Sequence, residues 1–316
     1  MTLLNFDARL KANALPDSYG LRFGARTGPG GGTNPARFAQ QVTVHDDPQW
    51  GHVLRALMAP GDTAQWAAAN QTVPCVALVG SLDCRVNPGD EGWMHLVCNP
   101  IAPEGDLVWE WHNSGSVRST IAPYAFLPGN PYASNHEPWE TFKDGKLVPN
   151  PNKTDRALTA RIVTGKVPTG GGGAAYWHTN IAIPGFQPCP PGWIHILMGA
   201  KYVNEGGWYD LTVWKDGDPV PAQPQIRLDN IPTMAWEDGR NDSMYPQWGI
   251  YGYPSQQKVY DHAGWTVRPT KAQALADFGG APPVDKYAAV RAEMNYFKTS
   301  SPHIYNACDE LLKLNP

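Results

Sequence analysis

The run Gly192-Trp193-Ile194-His195-Ile196-Leu197-Met198 is followed by a Gly206-Gly207 break and then by Trp208-Tyr209-Asp210-Leu211-Thr212-Val213-Trp214. Both runs are rich in aromatic and β-branched residues and are fenced by turn residues, which marks them as strands. The glycine pair suits a connection between neighbouring strands, and Asp216-Gly217 is a strong hairpin signal. Together they read as the middle of an antiparallel sheet. A third run, Gln247-Trp248-Gly249-Ile250-Tyr251, comes after a long loop and is expected to line one face of that sheet.

The composition around these runs has the same character. Charged residues are 17% of the 316 positions, below the roughly 25% usual for soluble domains, while 32 Gly and 31 Pro break the chain often. With 13 Trp and 13 Tyr interleaved and no repeat period, this is the texture of an all-β protein with many turns. A net charge of −4 argues against a nucleic-acid partner, which calls for a basic face. Five cysteines without a CxxC spacing read as free thiols, or as one disulfide among Cys75, Cys84 and Cys98. Asp238-Gly239-Arg240-Asn241-Asp242 lacks the spacing of a calcium loop, and no metal or cofactor is expected. The first nine residues lack the basic and apolar regions of a secretory signal. No apolar run approaches the roughly 18 residues of a membrane span, so the expectation is a product made in the cytoplasm.

Taken in order, residues 1–37 hold a short amphipathic piece and a breaker-rich stretch, read as an arm and linker. Residues 38–268 hold a dozen short strand-like runs, among them 41–45, 52–58, 73–80, 92–98, 106–112, 157–165 and 176–183. The stretch from Asn113 to Asn152 reads as a long loop, a length that in a compact domain usually means function. From about residue 269 the texture turns helical, at Ala272–Ala276, Val284–Phe297 and Pro302–Leu314. Many short strands with a helical tail predict a two-sheet antiparallel jelly-roll sandwich with a C-terminal helical extension, 269–316.

The order of motifs carries more. Val53-Leu54-Arg55-Ala56-Leu57, Trp109-Glu110-Trp111-His112-Asn113, Arg161-Ile162-Val163-Thr164-Gly165, Pro191-Gly192-Trp193, Val213-Trp214-Lys215-Asp216-Gly217 and Trp248-Gly249-Ile250-Tyr251 follow one another along residues 38–268. In that order they resemble the concanavalin-like jelly-roll polysaccharide lyases of the heparin-lyase-I, glucuronan-lyase and alginate-lyase types. The resemblance implies β-elimination from a uronate. A base takes the proton beside the carboxylate, an acid protonates the leaving oxygen, and a neutraliser holds the developing charge. The family sets these groups on an Arg-x-Glu-Leu strand, a Gln-x-His strand and a Lys-x-Gly-x-Tyr strand of one sheet. Alternation along the strands delivers them to a common groove.

Carried over residue by residue, His112 and Tyr251 match and are the expected catalytic pair. Glu110 stands at the Gln position, Gln247 at the Lys position, and Cys75-Val76-Ala77-Leu78 offers only Leu78 to the first motif. Two cationic positions are therefore unmatched, with Arg118, Arg161, Lys201 and Arg240 as candidate replacements. Trp109, Trp111 and Trp248 each read singly as core, but the aromatic density of the face as a whole makes them, with Asn113, Glu110 and Gln247, the candidate sugar contacts, since indole rings suit the C–H faces of pyranoses. These departures favour a glycan-engaging jelly roll with lost or altered chemistry over an active lyase, and leave a cell-associated lectin as a third reading. Export logic adds a setting. A cytoplasmic product that meets cell-envelope polysaccharide fits a virion component such as a phage minor tail or tail-tip protein, docking to other tail proteins through its terminal segments.

Overall fold

The structure, a computed structural model, describes residues 5–7, 21–23, 42–58, 75–80, 86–102, 106–107, 109–112, 117–125, 140–152, 157–166, 176–233, 244–251 and 258–278. The chain divides into two compact units, 1–278 and 279–316, and the second lies wholly outside the described residues. So do the helices expected at 284–297 and 302–314.

Two sheets make the first unit. The eight-stranded sheet runs β16 (Ile226–Ile231), β15 (Gly207–Lys215), β14 (Ile194–Lys201), β6 (Glu91–Ala102), β18 (Lys258–Arg268), β4 (Gly51–Met58) and β3 (Val42–Asp47). β1 (Asn5–Asp7) pairs with β18 over Gly264–Thr266, beyond the stretch that β4 covers. The ten-stranded sheet runs β11 (Lys146–Pro149), β10 (Glu140–Lys143), β13 (Tyr176–Ala182), β12 (Leu158–Lys166), β9 (Val117–Ala125), β8 (Trp109–His112), β17 (Tyr245–Tyr251), β5 (Cys75–Gly80) and β2 (Leu21–Phe23). β7 (Asp106–Leu107) adds to β9. Every named pairing is antiparallel except β10 with β13, which run parallel. The jelly-roll sandwich predicted from strand texture is the fold observed, with that one parallel contact added.

Side chains of both sheets interdigitate in one core. Met94, Leu96, Ile194, Ile196 and Met198 from the eight-stranded sheet meet Trp111, Leu158, Ala160, Ile162 and Ile181 from the other. β14 and β15 pair from Ile194 opposite Lys215 to Lys201 opposite Trp208, the central hairpin expected. Gly199 lies opposite Trp93, and a Cβ there would fall 2.4 Å from two Trp93 ring atoms. The missing side chain is what lets the Trp93 ring lie across β14.

Several expectations change. The arm expected at 1–37 supplies β1 to one sheet and β2 to the other. The expected loop 113–152 contains β9 and the β10–β11 hairpin, whose turn, Asp144-Gly145, has φ of 50° and 78°. Two consecutive positive φ values are the type I′ geometry that matches strand twist, and Asp-Gly is its preferred pair. The run ending at Tyr251 belongs to the second sheet as β17. Cys98 and Cys189 are buried and form no disulfide, and burial raises Cys98 well above the ordinary thiol range.

After β18 the chain forms α1 (Lys271–Phe278). Thr270 Oγ1 accepts from Gln273 N at 3.3 Å, the first half of a Thr-x-x-Gln capping box. The helix seats on the eight-stranded sheet through buried Ala274, an Arg268–Asp277 ion pair at 2.7 Å and Lys271 Nζ 3.3 Å from Asp210. The compact unit thus runs to Phe278, past the boundary expected at 268.

On the same sheet, Arg55 donates two hydrogen bonds to Asp261, 2.7 Å to Oδ1 and 2.8 Å to Oδ2. That bond is the first cause raising the Arg55 pKa. The Asp261 side chain is only 3% exposed, so Arg55→Ala leaves a carboxylate in the protein without its partner. With Arg55 itself 27% exposed, the expected loss is about 2 kcal/mol, below that of a fully buried pair. Denaturant unfolding should show it, and Arg55→Ala/Asp261→Asn should recover part of it. Equal midpoints for wild type and Arg55→Ala would contradict this.

Candidate functional site

The three strands named for the chemistry lie side by side, in the order β8, β17, β5. Along β8 and β17 the register is His112 opposite Tyr245, Trp111 opposite Pro246, Glu110 opposite Gln247, and Trp109 opposite Trp248. Across β17 it is Gln247 opposite Val79, Gly249 opposite Ala77, and Tyr251 opposite Cys75. On the other side of β8, Trp111 faces Ile121 and His112 faces Thr120 of β9.

Which face is which follows from burial. Trp111 is fully buried, its ring centroid 5.4 Å from that of Tyr202 beyond the other sheet's β14. Ile162, opposite Ile121, is fully buried as well. The row Trp111–Ile121–Ile162 therefore lies on the core face. Trp109 and Trp248 occupy positions of the same parity. Trp111 fills the space between the sheets and is not a substrate contact.

The alternate positions form the other face. One row holds Tyr245, His112, Thr120 and Val163, and Glu110 with Gln247 sits two residues along. Arg118 and Arg161, opposite Gly165 and Ala122, flank Thr120 at two-residue spacing on β9 and β12 and share this face. Arg118 is thus a diagonal neighbour of His112, about 7–8 Å away in an antiparallel ladder. Two of the four candidate cations thus stand on strands next to β8 in the same parity as His112. Lys201 is on the eight-stranded sheet, and Arg240 and Asn113 lie outside the described residues.

One expected pair is not brought together. Tyr251 is six residues along β17 from the position opposite His112, about 20 Å at the rise of a strand. An acid and a base serving one glycosidic bond must each reach it by a hydrogen bond. Tyr245 is the residue opposite His112, with its Cα about 5 Å from that of His112. The sequence offered both tyrosines at the same parity on one strand, so only the pairing with β8 distinguishes them. Glu110 and Gln247 are brought together as an opposed pair. Among the described residues no group of three or more His, Cys, Asp or Glu is placed to hold a metal ion.

No protein-family model matches the sequence, and no curated protein matches it. Solved structures resemble the fold at low identity. Alginate lyase A1-II′, a member of polysaccharide lyase family 7, is 14% identical with a TM-score of 0.37, over 75% of this chain and 85% of its own. An alginate lyase from a Chlorella virus is 10% identical with a TM-score of 0.38, over 73% and 89%. A pseudo β-1,3-glucanase of Mycobacterium tuberculosis, an immunostimulatory antigen, is 12% identical with a TM-score of 0.43, over 85% and 98%. Family 7 alginate lyases are among the structures that this jelly roll resembles.

Proposed function

We propose that the protein engages an acidic cell-envelope polysaccharide on the outward face of the ten-stranded sheet, across β17, β8, β9 and β12. The observation that supports this is the register. In it the positions of His112, Tyr245, Glu110, Gln247, Arg118 and Arg161 fall in neighbouring rows of the ladder with one parity. Guanidinium groups suit carboxylates, and imidazole, phenol and amide groups suit hydroxyls, so the residue types fit a uronate-containing chain. The same register favours a second reading, β-elimination. An imidazole and a phenol stand at directly opposed positions, with a cation position one diagonal step away. In a virion tail protein this face would be the one presented to the host envelope.

The test is titration calorimetry of the full chain against alginate, glucuronan and glycosaminoglycans, with ultraviolet detection of unsaturated uronate in parallel. Binding that weakens with salt and falls about tenfold in Arg118→Ala is the expected result, since one charge-assisted hydrogen bond contributes about 1.5 kcal/mol or more. Product formation lost in both His112→Ala and Tyr245→Phe, and kept in Tyr251→Phe, selects the enzyme reading. Absence of binding to every acidic polymer overturns the proposal. Labelling of purified virions with an antibody against the chain tests the tail setting separately.

A further inference from the structure

The row of the ten-stranded sheet that holds Glu110 and Gln247 continues past the strands that carry the site. Gln247 of β17 lies opposite Val79 of β5, and Val79 lies opposite Arg22 of β2. In the other direction Gln247 lies opposite Glu110 of β8. The register of β8 on β9, with Trp111 opposite Ile121, carries Glu110 to the level of Ala122, and Ala122 lies opposite Arg161 of β12. One row thus crosses β2, β5, β17, β8, β9 and β12, which are consecutive in the sheet, and has an arginine position at each end.

Parity places that row. Phe23, next to Arg22, stands opposite Leu78, Leu78 opposite Trp248, and Trp248 opposite Trp109. Those positions share the parity of Trp111, which is fully buried in the core. Arg22 occupies the alternate position, as His112, Glu110 and Arg161 do. β2 is a three-residue strand at the end of the sheet order, where a cation also discourages pairing with a foreign strand. That protective role needs a charge on β2 and sets no requirement on its distance from Arg161.

The spacing suggests a use. Neighbouring strands lie about 4.8 Å apart, so five intervals set Arg22 and Arg161 roughly 24 Å apart along the row. A strand interval is close to the rise of one sugar unit in an extended polysaccharide, so a chain laid across the strands passes about one unit per strand. Guanidinium groups take carboxylates in paired, charge-assisted hydrogen bonds. The inner positions are of another kind, with an amide at Gln247, aliphatic residues at Val79 and Ala122, and at Glu110 a carboxylate that repels an acid group brought to its level. We propose that Arg22 and Arg161 form a two-ended clamp for two uronate carboxylates of one chain about five sugar units apart, with Glu110 disfavouring an acid group between them.

The clamp rests on the glycan-binding reading of this face and adds to it a minimum length and a charge pattern for the ligand. A chain that reaches both ends meets the second arginine at the high effective concentration set by the first contact, so affinity rises in a step once the span is covered. A shorter chain engages one end only and has either arginine to choose from.

Titration calorimetry of the full chain with alginate and hyaluronan oligosaccharides of defined length, from roughly two to ten units, tests the span. Affinity should rise about tenfold or more as the chain passes about six units, and level off beyond. Arg22→Ala and Arg161→Ala should each remove the step, lowering the affinity of eight-unit chains about tenfold and that of four-unit chains at most about twofold. Arg22→Lys should keep most of the step, which separates loss of the charge from disturbance of β2. Glu110→Gln should help alginate, acidic at every unit, more than hyaluronan, in which acidic and neutral units alternate. A smooth climb of affinity with length, or an Arg22→Ala variant that binds eight-unit chains as wild type does, overturns the clamp and leaves the glycan face standing. No binding by any oligosaccharide or by either parent polymer overturns both.

Discussion

Gly199→Ala should lower the melting temperature by roughly 6–12 °C, the equivalent of about 3 kcal/mol in a domain of this size. The added carbon would sit 2.4 Å from Cδ2 and Cε3 of Trp93 and 2.7 Å from Cε2, inside any real contact distance. These are the middle of a bicyclic ring, so no flexible end can give way. Nor is the ring free to tilt, because Trp208 lies against it at 5.3 Å and Lys271 Nζ sits 5.3 Å from its centroid. Moving Trp93 would disturb the site where α1 docks, and moving β14 would break a strand paired along its whole length to β15 and β6. Thermal unfolding by circular dichroism measures the effect, and Trp93→Leu in the same chain should restore part of it. A melting point within a degree of wild type would show that the sheet yields more easily than this packing implies.

Trp111→Ala should cost about 3–5 kcal/mol, the range for deleting a large aromatic from a core. Trp111 is fully buried beside Tyr202, and a Cβ on Gly92 would meet its ring at 3.5 Å and that of Tyr202 at 3.3 Å. Its indole N–H has no partner among the described residues, so the expected cost is that of the cavity alone. The result also separates two roles for one residue. A sugar platform would lose affinity and keep its midpoint of unfolding; a core residue loses its midpoint first. Chemical denaturation with polysaccharide binding measured well below the transition reads both, and unchanged stability with lost binding would return Trp111 to the site.

The fold was legible where strands repeat a strong local signal. The runs at 192–198 and 208–214 became the central hairpin, and the helix at 271–278 was visible in the helical texture of Ala272–Ala276. The β10–β11 hairpin carried the same Asp-Gly signal as Asp216-Gly217 but sits within a stretch otherwise dominated by breakers. β9 includes Pro123 and polar residues, and β1 and β2 are three residues each, too short for periodicity to register. The site was legible in its strands and not in its pairs. Alternation told which residues share a face, but the choice between Tyr245 and Tyr251 opposite His112 depends on register, a property of two strands at once. The cations were named but not placed for a related reason. The positions of Arg118 and Arg161 relative to β8 follow only from the β8–β9–β12 ladder.

The position of β18 bears on how the chain is made. This strand is made after the other described strands, yet it is inserted between β6 and β4, pairing with both. Until residues 258–268 leave the ribosome, the β3–β4 hairpin and the β6–β14–β15–β16 meander are two pieces with open edges and no strand between them. Open edges of that kind template pairing with other chains, and contacts closed across some 160–200 residues form slowly. β1 adds to the delay, since residues 5–7 wait for the same strand. A nascent chain stalled before β18 should therefore behave as a sticky intermediate and call on chaperones. Once β18 is free of the ribosome, the sheet can close in a single insertion.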